Sequence, residues 1–352
     1  MAPLARRRVR SRPIPPYQLP LRARTGRKLA GEGKDKAGRP LDVAGLGYCA
    51  YDLLCLADVD EMPDFDSVSG IHLADMVHDG GGPVGTALTA LARLGARAGY
   101  LGVLGEDREG RTLQDLFARV GVDVSRLRVD PRAGTNVCAI LVQQGTGQRA
   151  IFCHPRVQPQ ALALDEVDRA YVQSARVLHL DGQFLPAAIV AAGWAREAGV
   201  KVCFDGNHPR PGLEALLPLV DWLVVAEPFP AAYTGSASRE EAARTLLQLG
   251  PELLVVTLGE RGCQVWVRSR DPGGDDTIEH LTVPGFSVEV VDTTGAGDAF
   301  HGAFIYGMLQ GWALGRVAEF ANAVAALNCQ TLGGRRGLPD LAQVEAFLAA
   351  AG

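Results

Sequence analysis

From residue 41 onward, short apolar runs alternate with helical stretches, and that rhythm restricts the fold more than any single residue does. The apolar runs are Leu41–Leu46, Ala98–Leu104, Val177–Leu180, Val200–Phe204, Trp222–Val225 and Leu253–Leu258. Each is too short for a buried helix and continuous enough to be a strand covered on both faces. Helical stretches lie between and after them at Val84–Leu94, Arg111–Val120, Ala187–Ala198, Arg239–Leu249, Ala299–Leu309 and Val317–Asn328. Such alternation builds a mainly parallel sheet with helices on both faces, so a three-layer α/β/α sandwich is expected. Two segments break the rhythm. Ser67–Val77 and Thr135–Phe152 carry β-type residues, with turn signals at Gly145–Gly147, but no helix within either. They predict a small accessory sheet, with segments near 65–80 and 133–155, standing over the main layer as a lid.

Composition removes whole classes of protein. Hydrophobic residues make up 47% of the 352 and charged residues 21%, which suits a packed globular chain. No apolar run approaches the roughly 18 residues of a membrane span, so no membrane partner is expected. Seven scattered cysteines form no Cys-x-x-Cys, and no His-Glu-x-x-His occurs, so neither a disulfide framework nor a zinc site is indicated. A reduced, cytoplasmic protein is the simplest expectation. Charge is uneven. Residues 1–40 hold 12 Lys or Arg against Glu32 and Asp35, a local +10, leaving 23 basic and 38 acidic residues, or −15, for the rest. That segment is proline-punctuated and is expected to be a disordered extension ahead of one domain at 41–352. It could be a nucleic-acid or membrane arm, a transit peptide with Ser11 as its only serine, or an extension without a role. An acidic body argues against nucleic acid as the main partner.

Open α/β sheets bind ligands at the carboxyl ends of their strands, where glycine-rich turns enter helices. Such turns are expected at residues 45–52, 79–85 and 292–298. The last, Asp292-Thr-Thr-Gly-Ala-Gly-Asp298, follows the β-like run Phe286–Val291 and opens a helix. Gly295, Ala296 and Gly297 let backbone N–H groups approach an anion, and the helix start adds unpaired donors and a positive dipole end. That suits the charge on a transferring phosphoryl group. Asp298 beside such an anion hole is repulsive unless it accepts a proton from an attacking hydroxyl. The bland alternative is a strand-to-helix turn with Asp298 as a helix-start charge.

Residues 292–305 resemble the C-terminal signature of the ribokinase-like (PfkB) carbohydrate kinases at every signature position. The resemblance covers nearly the whole chain from residue 41. Gly47-x-x-x-x-Asp52 is similar to the family's sugar-binding aspartate, and Gly81-Gly82 with Ala90–Gly95 to its N-terminal glycine signature. Thr257-Leu-Gly-Glu-Arg-Gly262, with Thr257, Gly259 and Gly262, resembles the nucleotide-binding turn. Ala321-Asn322-Ala323 and Gly333-Gly334 resemble the adenine-side helix and loop. The resemblance implies Asp298 as general base, Gly295–Gly297 as anion hole, and a lid over the sugar. It implies ATP and Mg2+ as cofactors, with K+ near Asp292 and Thr294.

On its own chemistry Asp52 suits a polyol, because one carboxylate can accept two hydroxyl hydrogen bonds. Asn136 is either a sugar contact or a hairpin residue. Two departures stand out. Thr86 replaces the family's usual Asn, and Ala226-Glu227-Pro228-Phe229 stands where an Asn-x-x-Glu motif helps hold magnesium. Glu227 is then the nearest carboxylate for the metal, with Asp205 and ATP oxygens as alternatives. Loss of that motif and the run Gly80-Gly81-Gly82-Pro83 resemble fructokinase-like and sulfofructose kinase branches. The expected activity is ATP-dependent phosphorylation of a hydroxymethyl group on a sugar, ketose-like by preference. A nucleoside kinase of the same fold and a non-catalytic sugar or nucleotide binder are the alternatives. A phosphorylated or sulfonated sugar would need a cationic clamp, with Arg132, Arg149 and Arg156 as candidates. Unpaired lid edges could also pair two copies into a homodimer.

Overall fold

The computed structural model describes residues 40–59, 70–156, 162–270 and 276–351. The basic segment at 1–40 lies outside them apart from Pro40. The strands are β1 (Val43–Leu46), β2 (Ala50–Ala57), β3 (Leu73–Gly81), β4 (Ala98–Gly105), β5 (Leu127–Asp130), β6 (Val137–Gln143) and β7 (Arg149–His154). They continue with β8 (Val177–Leu180), β9 (Lys201–Gly206), β10 (Trp222–Ala226), β11 (Leu253–Thr257), β12 (Cys263–Arg270) and β13 (Asp276–Val283). The helices are α1 (Pro83–Arg93), α2 (Arg108–Val120), α3 (Arg169–Gln173), α4 (Leu185–Glu197) and α5 (Leu213–Leu216). After them come α6 (Phe229–Thr234), α7 (Arg239–Gln248), α8 (Ala296–Leu309), α9 (Leu314–Asn328) and α10 (Leu341–Ala351).

Nine strands form the main sheet in the order β13-β12-β11-β10-β9-β8-β1-β4-β5. From β5 to β11 neighbouring strands run parallel, while β12 and β13 turn back antiparallel at one edge. Parallel strands need crossovers, and the crossover helices cover both faces. One face packs α1, α2, α8, α9 and α10. The other packs α3, α4, α5 and α7 with Phe229 of α6. Local signals place the helix ends. Pro83 opens α1, where a missing N–H costs nothing, and the Asp107 carboxylate caps α2 by accepting from Gly110 N at 2.9 Å. Helix α8 is buried from Ala299 to Leu309 because α1 and α9 sandwich it against the sheet. Gly302 permits that closeness, since a Cβ there would lie 2.5 Å from the Ala87 carbonyl oxygen.

The second sheet has the order β3-β2-β6-β7, with β2 and β6 parallel and the outer pairs antiparallel. One of its faces, built from Ala50, Leu54, Val77, Cys138, Ile140 and Val142, packs on Leu332 of the body. The lid expected near 65–80 and 133–155 thus contains a further strand. Residues 45–52 do not enter a helix as expected: after Tyr48 and Cys49 the chain goes straight into β2, the inner lid strand. Its side chains alternate between buried and half-buried faces, the period of a strand. Phe286–Val291 is likewise no strand, because its backbone joins no sheet ladder, although Val291 and Asp292 N–H groups donate to the Cys329 carbonyl. Residues 65–69 of the lid segment expected near 65–80 lie outside the described residues.

Candidate active site

The anion loop is assembled by backbone. Gly295 caps α8 in the left-handed region at φ 73°, and a Cβ on it would lie 2.5 Å from the Gly334 carbonyl oxygen. Only glycine fits both constraints. Asp292 is fully buried, and its two oxygens accept from Thr294 N at 2.8 Å and Gly333 N at 2.9 Å. Asn328 Nδ2 donates to the Thr294 and Gly334 carbonyls at 3.3 and 3.2 Å, which ties the loop to the segment after α9. Ala296 and Gly297 form the first turn of α8, and a Cβ on Gly297 would meet open space. Asp298 follows in that turn, half-buried. Burial, reinforced by the Asp205 charge, pushes its carboxyl up to about 7, against the pull of His301, Arg149 and Arg335. A carboxyl at that value gains and loses protons near neutrality, as a general base must.

Beneath Asp298, one turn further along α8, His301 Nε2 sits 3.3 Å from Asp205 Oδ1 of β9. Burial opposes ionisation of Asp205, but His301 outweighs it and holds the carboxyl low. His179 of β8 lies beside His301, ring centroids 5.6 Å apart and tilted by 34°, and burial pushes it down to about 3, so it is neutral.

A second group of buried polar residues comes from the lid. Asp52 lies on β2 opposite Asp79 of β3 and beside Cys138 of β6. It is buried, and a Cβ on Gly81 would overlap its Oδ2 at 1.9 Å, so glycine at 81 makes room for the carboxylate. Burial pushes Asp52 up to about 7; Arg335 lowers it, and the charges of Asp79 and Asp298 raise it. The charge of Asp298, 246 positions away in sequence, is thus felt at Asp52. Gly82, at φ 87°, turns β3 into α1 over the Tyr48 carbonyl.

Other expected residues take structural places. Thr86 is buried and accepts from Arg335 Nε at 3.3 Å. Asn136 accepts from Arg156 N at 2.8 Å and donates to the Cys49 carbonyl at 3.5 Å, so its amide braces the lid base. Glu227 does not present an open carboxylate to a metal. Its oxygens accept from Arg239 at 2.6 Å and from Arg261, and the Arg261 and Arg239 guanidiniums hold its carboxyl below the ordinary range. At the turn expected to bind nucleotide, Thr257 Oγ1 donates to the Val225 carbonyl at 3.3 Å, and Gly259 and Gly262 shape the β11–β12 turn at φ 61° and 87°. Asn322 Nδ2 donates to the Pro284 carbonyl at 3.0 Å and so steadies the segment against Gly262.

Three residues escaped the sequence reading. Asp181, after β8, accepts from Tyr48 N at 2.6 Å and holds the crossing into the lid. Asp79 accepts from Arg335 N at 2.8 Å. Arg335 donates from Nη2 to the Gly81 carbonyl at 2.6 Å and lies over the Phe117 ring. A carboxylate directly after an apolar run was the available signal for Asp181; Arg335 had none. Of the three lid arginines, Arg132 pairs with Asp130 and Arg156 with Asp107. Arg149 donates to Thr293 Oγ1 in the anion loop. Both line an open groove of about 540 Å³ together with Thr146, Gly147, Gln148 and Ile151.

Known proteins are similar to this chain in sequence and fold. A family model described as "pfkB family carbohydrate kinase" matches residues 42–341. An uncharacterized sugar kinase of Archaeoglobus fulgidus is 32% identical over 257 residues, covering 71% of this chain and 98% of the relative. A probable fructokinase of Arabidopsis thaliana is 29% identical over 310 residues, covering 80% of this chain and 92% of the relative. The crystal structure of a putative ribokinase from Agrobacterium tumefaciens superposes with a TM-score of 0.77 at 26% identity, covering 88% of this chain and 98% of that one. With a ribokinase-like fold, a paired anion loop and lid, and a family match over most of its length, the chain belongs to the pfkB family of carbohydrate kinases.

Proposed function

We propose that this ATP-dependent sugar kinase phosphorylates a hydroxymethyl group of an uncharged sugar, a ketose such as fructose by preference. The observation that carries the reading is Asp298, a carboxyl raised to about 7 at the start of α8, whose charge helps raise a second carboxyl, Asp52 of the lid, to about 7. Asp52 accepts hydrogen bonds from sugar hydroxyls and, with the Gly81 and Gly82 backbone, orients the acceptor. Asp298 takes the proton of the attacking hydroxyl. N–H groups of Gly295, Ala296 and Gly297 stabilise charge on the phosphoryl oxygens. The lid excludes water, which would otherwise compete as acceptor. Similarity to fructokinases supports the ketose preference. The uncharged acceptor rests on the lid arginines: Arg132 and Arg156 are paired, and Arg149 faces the anion loop.

Thr257, Gly259, Gly262 and Asn322 shape the nucleotide side, where ATP supplies the phosphoryl group. Magnesium would neutralise phosphate charge and would rest on ATP oxygens and water, since Glu227 is committed to two arginines. Potassium suits the loop around Asp292, because Thr294 Oγ1 and Asn328 Oδ1 are buried oxygens without a hydrogen-bond partner among the described residues. Pairing of two copies through the lid has support in Met76 and Phe152, which are 52% and 49% exposed on its outer face.

An ATP-consumption panel over free ketoses, free aldoses, phosphorylated and sulfonated ketoses and nucleosides tests the proposal. The highest kcat/KM is expected on a free ketose. Turnover confined to nucleosides would replace this reading with the nucleoside-kinase one, and turnover confined to anionic sugars would remove the uncharged acceptor.

A further inference from the structure

Two of the seven cysteines meet over the acceptor site. Cys138 of β6 is the register partner of Cys153 of β7 and, on its other side, of Asp52 in β2. The two Sγ atoms are 2.8 Å apart. Opposed residues of an antiparallel pair have Cα atoms about 4.5–5.5 Å apart, within the span a disulfide bridges without moving backbone. The pair is also asymmetric. Cys138 is buried and its thiol is hydrogen-bonded to Asp52 and Tyr48, whereas Cys153 is exposed. Burial raises the Cys138 thiol and keeps it protonated, so an oxidant in solution meets Cys153 first.

We propose that Cys138 and Cys153 form a reversible disulfide that disables the acceptor site by withdrawing the Cys138 thiol from Asp52. The inference rests on Asp52 as the acceptor-binding carboxylate. The oxidant is a peroxide. Its O–O bond breaks as the Cys153 sulfur attacks, giving a sulfenic acid and one water. Cys138 sulfur then attacks the sulfenic sulfur, the S–O bond breaks, and hydroxide leaves. The Cys138 proton passes by way of the hydrogen-bonded Asp52 carboxylate to that hydroxide, giving a second water. Two thiols and one peroxide thus become one disulfide and two waters, and a thiol reductant reverses the change by exchange.

The consequence falls on the sugar. Cys138 as a thiol donates to Asp52 and favours its ionised form. Without that donor the carboxyl is more often protonated, and a protonated carboxyl accepts hydroxyl hydrogen bonds poorly. The cross-link also joins β6 to the outermost lid strand and restrains their adjustment around a sugar. The nucleotide side is untouched.

Full-length protein treated with hydrogen peroxide and mapped by non-reducing peptide mass spectrometry should show a Cys138–Cys153 link. The sugar KM should rise roughly ten- to a hundredfold while the ATP KM stays within about twofold, and dithiothreitol should restore the sugar KM. Cys153→Ser should retain the untreated activity and lose the sensitivity. Cys55→Ser, which removes a thiol on the opposite lid face, should stay sensitive. Failure of the link to form while Cys55 is oxidised overturns the proposal, as does a link with an unchanged sugar KM, or equal inactivation of Cys153→Ser. The link is read by mass without any assay. If Asp52→Asn leaves the sugar KM of reduced protein unchanged, it is the acceptor reading that has failed.

Discussion

The anion loop and the lid close on the same cleft, yet they are constructed differently. The loop draws its groups from consecutive residues: Gly295 sets the turn, Gly297 leaves space, and Asp298 follows in the first helical turn. Its chemistry is mostly backbone N–H, which no side-chain substitution removes directly. The lid draws Asp52, Asp79 and Cys138 from three strands, brought together by long-range pairing. Its chemistry is carboxylate and thiol, and the protonation states of Asp52 and Cys138 depend on burial and on their neighbours. A backbone-built anion hole suits the donor chemistry common to a kinase family, whereas a side-chain-built pocket can be retuned for one acceptor.

The sharpest way to break that contrast is Asp298→Asn, the one side chain on which the proposed donor end relies. The amide preserves shape but accepts no proton, so kcat should fall by roughly 10²–10⁴ with both KM values little changed. Stopped-assay kinetics retaining more than about a tenth of the rate would reduce Asp298 to a helix-start charge. The wild-type pH profile sharpens the point. Since burial raises both Asp298 and Asp52 to about 7, kcat/KM should decline as pH falls through that value and each becomes protonated. Stability should run the other way. Carboxyls raised in the folded state add stability that is fully present below their unfolded values near 3.8 and is lost as pH rises through 7. Melting temperature of the ligand-free protein should accordingly decline between pH 5 and 8, less so in Asp298→Asn.

Next in size is Asp52→Asn. Losing hydrogen bonds to a charged acceptor should raise the sugar KM by roughly ten- to a hundredfold and leave the ATP KM within about twofold. Isothermal titration with equal losses for both ligands would mean that donor and acceptor ends are not separable. The smallest effect is expected from Glu227→Gln. With its carboxylate already shared by two arginines near the surface, the magnesium concentration for half-maximal rate should move by less than about twofold. A several-fold increase would restore Glu227 to the metal shell.

The layered α/β architecture and the anion loop were legible before any coordinates. Apolar runs bounded by helical stretches permit few other arrangements, and Asp292–Asp298 carries its glycines and both carboxylates within seven positions, although Gly333, Gly334 and Asn328 brace the loop from elsewhere in the chain. The lid was only half legible. Its two irregular segments stood out, but Ala50–Ala57 escaped notice as a strand because its residues are not β-branched and its partners, β3 and β6, come later in the chain. Asp52 was therefore expected in a loop and is found buried in a strand. Arg335 and Asp79 carried no local pattern at all, and their link joins positions 256 apart. The pairing of Glu227 with Arg239 and Arg261 was equally hidden, since it depends on how α7 and the β11–β12 turn meet the end of β10. Local backbone preferences and short-range periodicity act between neighbours and can be read in order along the chain. Protonation states, ion pairs and the meeting of Cys138 with Asp52 and Cys153 depend on burial and strand register, which only the folded packing supplies.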